Sequence, residues 1–207
     1  MAANAVLKAG SRGPSDGAGL VPPMLLVGDG ADKWAAAHGI PTDADPRSKI
    51  TEDALTRYAQ YMDRAFPAGH GVPDDGGGSD IDSLQDTVGA VCIDASGAAA
   101  AGVSSGGIAL KLPGRAAMFG CGCWAESRTV RAQAPPVVSA CSVSGTGEQI
   151  MRTMLARDCA RRPGDMFSAL DECLAEFCET SALRAYTQRS AGLLLLRHDP
   201  DDGSTGK

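Results

Sequence analysis

At 207 residues and 43% hydrophobic content, the chain carries enough apolar surface to bury a core, which excludes a wholly disordered protein and fits one ordinary domain. A formal net charge of −6, with no cluster of Lys and Arg to grip a phosphate backbone, excludes nucleic acid as an expected partner. No apolar run approaches the roughly 20 residues of a spanning helix, and Met1 to Gly19 lacks the basic-then-apolar order of a signal peptide, so no membrane partner is expected.

The chain opens with a short Ala-rich piece and continues into Gly10-Ser11-Arg12-Gly13-Pro14-Ser15-Asp16-Gly17, a loop by composition that offers no site. Met24 to Val27 reads as a short apolar strand or buried extended segment. Gly28-Asp29-Gly30 then leads into a short helix from Ala31 to His38, closed by Gly39. Trp34 is expected in the core, and His38, in the last turn, as a cap on the helix dipole rather than a base. Thr51 has the character of an N-cap, with Glu52 and Asp53 in the first turn. Leu55, Tyr58, Ala59, Met62 and Phe66 then recur at helical spacing. That apolar stripe suits packing, and equally suits docking elsewhere in a precursor. Pro67 ends the helix, and a polar, Gly-rich linker runs to Ser83.

Thr87 to Asp94 is strand-like, Ala95-Ser96-Gly97 supplies a turn, and Ala98 to Ser104 returns as a second strand of small residues. Another small-residue strand begins near Pro136 and closes at Ser142-Val143-Ser144-Gly145-Thr146-Gly147, where a helix from about Glu148 to Cys159 opens. Met166, Phe167, Leu170, Cys173, Leu174 and Phe177 mark a further amphipathic helix, and Leu193 to Leu196 a buried strand. The tail from His198 is polar and expected to be loose. Two helices between strands suit a layered α+β sandwich.

Seven cysteines, mainly in apolar surroundings, read as reduced structural thiols. Cys121-Gly122-Cys123 lacks the two-residue spacer of zinc knuckles and no second Cys/His pair accompanies it, so no metal is expected. A Walker lysine and a dinucleotide fingerprint are both missing, so no cofactor is expected either. His38, His70 and His198 are the histidines, none placed for a Ser-His-Asp or Cys-His device.

The chemistry concentrates where the linker meets the strand, at Asp86-Thr87. Attack of the Thr87 hydroxyl on the carbonyl of residue 86, an N-to-O acyl shift and hydrolysis would free Thr87 as a new N-terminus. Its α-amine, with a pKa of about 7.7 to 8, then serves as general base for its own hydroxyl. The β-branch of threonine restricts χ1 and so limits where that hydroxyl points. Gly145 and Gly147, within Ser142 to Gly147, allow backbone N–H groups close to a substrate oxygen, as an oxyanion site requires, although a Gly-rich helix N-terminus also suits a phosphate.

Thr87-Val88-Gly89-Ala90-Val91, Ser104-Ser105-Gly106-Gly107, Pro113-Gly114-Arg115, Gly120-Cys121-Gly122-Cys123-Trp124-Ala125-Glu126 and Ser142-Val143-Ser144-Gly145-Thr146-Gly147-Glu148 together resemble threonine aspartase (taspase). That group belongs to the plant-type asparaginase branch of the N-terminal nucleophile hydrolases. With Gly19 to Ala31 upstream, the resemblance covers about residues 20 to 197. It implies an αββα sandwich, cleavage between Asp86 and Thr87, an α-subunit segment of residues 1–86 with its linker at 67–83, and a β-subunit of residues 87–207. It further implies that Ser105, eighteen positions after the nucleophile, hydrogen-bonds it. Arg115 would hold a substrate carboxylate, and Ser144 and Gly145 would line the oxyanion site.

The expected activity is an endopeptidase cutting polypeptides after Asp, with α and β pieces assembling as a dimer of heterodimers. An asparaginase or isoaspartyl peptidase is the alternative, and a non-catalytic remnant of the scaffold the third reading. Absence of the Asp-Ser-Pro that asparaginases carry after the arginine favours the first. The family has a longer α region before the segment matching Gly19 onward, so one or more N-terminal strands of the sandwich are expected to be missing. The loop after Arg115 is about three residues shorter than the family's, by the alignment of these blocks. Between Arg47 and Ser83 the only basic residues are Arg47, Lys49, Arg57 and Arg64, which is no import signal. Cytoplasmic distribution is expected, with nuclear entry by diffusion or on a partner.

Overall fold

The computed structural model describes residues 2–12, 19–43, 45–66, 87–106, 110–130, 132, 134–186 and 189–200. The described residues form a mixed helix and sheet structure of the α+β class, divided into two compact units: Met1–Gly77 with Ala109–Ala116, and Gly78–Ile108 with Ala117–Lys207.

In the first unit the Ala-rich start forms helix α1 (Ala2–Ser11), favoured by alanine's high helix propensity, and the Ser11 hydroxyl donates to the Leu7 carbonyl at 3.0 Å. Helix α2 (Gly28–Ala37) begins before the expected Ala31. Gly39 leaves it at φ +67°, the left-handed conformation that glycine tolerates best. His38 stacks on Trp34 with ring centroids 3.8 Å apart, and its Nδ1 lies 2.8 Å from the Trp34 carbonyl oxygen. Trp34 is therefore half-buried against its own helix rather than a core residue. Met24 to Val27 is a second correction. Among the described residues it forms no strand, and Met24 is 68% exposed, because an extended segment without a ladder partner gains nothing from burying its backbone. In helix α3 (Glu52–Ala65) the Thr51 hydroxyl accepts from the Ala54 N–H at 3.2 Å as expected, yet Leu55 and Tyr58 on its apolar stripe are exposed. The linker at 67–83 lies outside the described residues.

The second unit opens with an antiparallel hairpin of β1 (Val88–Ile93) and β2 (Ala99–Ser104), in register from Val88 opposite Ser104 to Ile93 opposite Ala99. Asp94 ties its turn. One carboxylate oxygen accepts from the Ser96 N–H (2.8 Å), the Ser96 hydroxyl (2.6 Å) and the Ala98 N–H (3.0 Å). Those bonds, the Ser96 side chain's foremost, hold the Asp94 carboxyl below its ordinary pKa. A second, three-stranded antiparallel sheet has the order β3 (Cys123–Arg128), β4 (Val137–Gly145), β5 (Ala191–His198).

Strand β4 is the centre of this unit. Its residues 138–143 are all buried because both of its faces are covered. Cys141 and Val143 pack into a core with Ile150, Leu155, Cys159, Phe177 and Leu183. These come from helices α4 (Gly147–Thr153), α5 (Leu155–Arg161) and α6 (Met166–Glu179) and the turn after α6. On the opposite face, Ser142 bonds the Gly102 carbonyl of the hairpin at 3.4 Å. The unit is thus a stack of hairpin, three-stranded sheet and helices.

The single helix expected from Glu148 to Cys159 is broken at Met154, which adopts φ 50°, ψ 42°. The break turns two amides of α5 away from helical partners: Ala156 N–H donates to Cys121 C=O at 3.1 Å and Arg157 N–H to Gly120 C=O at 3.0 Å. Asp165 caps α6 through the amides of Phe167 (3.1 Å) and Ser168 (3.0 Å). Of the cysteines, Cys121, Cys141, Cys159 and Cys173 are buried, whereas Cys92 and Cys178 are exposed. His198, expected to begin the loose tail, ends β5 instead.

Candidate active site

The hairpin register carries one residue beyond each strand, and there the Thr87 hydroxyl donates to the Ser105 hydroxyl at 3.0 Å. The offset of eighteen residues follows from two strands of equal length joined by a tight turn. Thr87 is half-buried and Ser105 exposed, at the open end of the hairpin.

The packing of hairpin on sheet gives the direction of β4. Near the hairpin tip, a Cβ on Gly97 would lie 3.9 Å from Val138 at the start of β4. Near the other end, Gly89 and Gly102 meet Ser142. Strand β4 therefore climbs from the turn toward Thr87, and Ser144, the next residue on the face of Ser142, comes at the Thr87 end with Gly145. Gly145 has φ +142°, and a Cβ there would fall on the Ser190 carbonyl oxygen and 2.8 Å from the Ala191 Cα. The next amide, Thr146 N–H, donates to that carbonyl at 2.9 Å. Only glycine fits this crossing, and its backbone is held from both sides.

Arg115 belongs to the first unit, half-buried after the turn at Pro113-Gly114, where its N–H donates to the Leu112 carbonyl at 3.1 Å. Asp86, the residue before the proposed scissile bond, lies outside the described residues. Among the described residues no group of three His, Cys, Asp or Glu side chains is arranged to hold a metal ion.

The Gly120-Cys121-Gly122-Cys123-Trp124 segment lies beside this end of the sandwich. The Gly122 carbonyl accepts from Val143 N–H at 2.8 Å, and a Cβ on Gly122 would come within 3.0 Å of Val103. Trp124 carries Phe119 edge-on at 5.3 Å between centroids and the Arg157 guanidinium at 5.5 Å from its ring. Sequence reasoning missed the meeting of Gly89 with Ser142. Its only trace in the sequence was a glycine on the inward-facing side of an otherwise regular strand, a known sign of close backbone approach.

Residues 21–200 match the profile of the asparaginase family. An isoaspartyl peptidase of Salmonella typhimurium is 32% identical over 190 residues, covering 86% of this chain and 53% of that protein. A plant-type L-asparaginase of Pyrobaculum calidifontis is 40% identical over 158 residues, 73% of this chain and 47% of its own. An isoaspartyl peptidase/L-asparaginase of Xenopus laevis is 34% identical over 138 residues, 65% of this chain and 38% of its own. The chain spans about half the length of the first of these relatives.

Proposed function

Because the chain belongs to the asparaginase family of N-terminal nucleophile hydrolases, we propose that it is an autoprocessing threonine hydrolase acting on amide bonds made by aspartyl or asparaginyl side chains. The observation that carries this reading is the Thr87–Ser105 hydrogen bond of 3.0 Å at the open end of the hairpin.

In the precursor the Thr87 hydroxyl attacks the carbonyl of Asp86, and the peptide nitrogen leaves as the ester forms. That nitrogen, protonated as it leaves, is the new Thr87 amine; water then hydrolyses the ester, releasing the Asp86 carboxylate and restoring the Thr87 hydroxyl. In turnover that amine, held on the same residue, takes the hydroxyl proton as the oxygen attacks the substrate carbonyl. The Ser105 hydroxyl, hydrogen-bonded to the Thr87 hydroxyl at rest, fixes the direction of the attacking oxygen. The backbone at Ser144 and Gly145 stabilises the oxyanion, and the Arg115 guanidinium pairs bidentately with the substrate carboxylate. The hairpin, sheet and helix layers of the second unit correspond to a ββα part of the family's αββα arrangement.

The relatives' own names favour isoaspartyl peptides and asparagine as substrates. A second reading, an endopeptidase cutting after Asp, is favoured by Gly120-Cys121-Gly122-Cys123-Trp124 and by the Ala116-Ala117 that follows Arg115 in place of Asp-Ser-Pro. We further propose that the α and β pieces stay associated, as a dimer of heterodimers, in the cytoplasm.

Intact-mass measurement of the purified protein is the first test. Two species, residues 1–86 and 87–207, are expected, and a chain that stays whole overturns autocleavage. β-Aspartyl dipeptides, free asparagine and an Asp-Gly-containing peptide then separate the readings. Turnover of the first two alone supports the asparaginase-type activity, cleavage of the last supports the endopeptidase, and none of these supports a non-catalytic scaffold.

A further inference from the structure

We infer that Ser142 is a positioning residue that sets the distance between the nucleophile and the oxyanion site, by keying its side chain into a notch at Gly89. The inference rests on the reading of Thr87 as nucleophile. Gly89 is the next residue after Thr87 on the inward face of β1, and Ser144 the next after Ser142 on the facing side of β4. A Cβ at position 89 would fall onto Ser142 Oγ, far inside van der Waals contact, and 3.1 Å from Ser142 Cβ. The hydroxyl itself reaches past β1 to the Gly102 carbonyl of β2, 3.4 Å away, and Gly102 is the register partner of Ala90. One side chain thus meets both strands of the hairpin, one step inward from the pair Thr87 and Ser105.

The consequence is geometric. Thr87 rides on the hairpin, whereas Ser144 and Gly145 ride on β4, and Ser142 in its notch is a close contact between those two elements. Widening the gap there lifts the attacking hydroxyl away from the groups that stabilise the oxyanion, and catalysis is sensitive to displacements of about 1 Å. The proposed partner of the substrate carboxylate is Arg115 and not this notch, so the loss is expected in kcat rather than KM.

Autocleavage of the full chain, followed by intact mass, and turnover of a β-aspartyl dipeptide test this in Gly89→Ala, Ser142→Ala and the double variant, with thermal melting measured alongside. Gly89→Ala is expected to slow both reactions about 100-fold, chiefly in kcat with KM little changed. Ser142→Ala, which keeps a Cβ in the notch but loses the hydroxyl and its bond to the Gly102 carbonyl, is expected to cost about 2- to 10-fold. The double variant is expected to recover at least about tenfold over Gly89→Ala, because the oxygen that collides with the new Cβ is gone. Additive losses in the double variant, or a loss carried by KM, overturn the positioning role. If Gly89→Ala fails to fold, recovery of folding and cleavage together in the double variant supports the notch, and continued failure overturns it. A wild-type chain that never cleaves instead overturns the assignment of Thr87 itself, and the positioning role with it.

Discussion

Thr87 and Ser105 come from opposite strands of one hairpin, and their 3.0 Å hydrogen bond makes different demands on the two side chains. In the proposed mechanism Thr87 supplies both the nucleophile and, once freed, the base, so its amine must be neutral to act. With an α-amine pKa of about 7.7 to 8, turnover of a β-aspartyl dipeptide is expected to rise with pH through that range and then level off. A pH–rate profile measured on processed protein checks this, and a rate that is flat between pH 6 and 9 counts against the amine as base. In the same mechanism Ser105 only orients. Ser105→Ala removes one hydrogen bond worth about 0.5 to 1.5 kcal/mol, so a slowing of about 2- to 10-fold is expected in the rate of chain cleavage. Complete loss would instead assign Ser105 a direct part in proton transfer.

At the level of elements, the hairpin is tied at its turn as well as along its ladder. The Asp94 carboxyl is kept below its ordinary value chiefly by the Ser96 hydroxyl, with backbone amides of the turn adding to it. A depressed carboxyl contributes stability above its unfolded pKa and loses that contribution as pH falls through the folded one. Asp94→Ala is therefore expected to lower the melting temperature at pH 7, with the difference from wild type shrinking as the pH drops through the acid range. A difference that stays constant down to pH 2 would show that the carboxylate charge is not what holds the turn.

The hairpin was legible from Thr87 to Ser104 because its signals are local: Val88, Val91 and Ile93 before the turn, a run of small residues after it, and Ala95-Ser96-Gly97 between. The caps at Thr51 and the amphipathic run from Met166 were legible for the same reason. What escaped depends on residues distant in the chain. Met24 to Val27 has strand composition but, among the described residues, no strand to pair with. Nothing between Glu148 and Cys159 announces a break, since the groups that reward it are the carbonyls of Gly120 and Cys121. The Ser142 notch is likewise invisible until two sheets are laid against each other.

Across the whole molecule, burial sorts the seven cysteines by reactivity. Desolvation pushes the Cys141 thiol up to about 12, with the neighbouring Cys173 and Cys123 thiols adding to it, and raises Cys121 and Cys123 as well. Cys92 and Cys178 are exposed. Native protein treated with iodoacetamide at pH 8 is expected to label at Cys92 and Cys178, with the others reacting only after unfolding. Peptide mapping checks the sites, and native labelling at Cys141 would mean that the central sheet opens under native conditions.

The break at Met154 also determines what protects two amides. In an unbroken helix Ala156 and Arg157 would exchange with solvent as the helix frays. Here their protons point at Cys121 and Gly120, so their hydrogen-exchange rates follow the opening of the loop that leads into β3. Those two amides are a built-in clock for the segment that borders the Thr87 end of the sandwich. Their slowing when a substrate analogue binds would time how far that segment closes, without any label being placed on the loop itself.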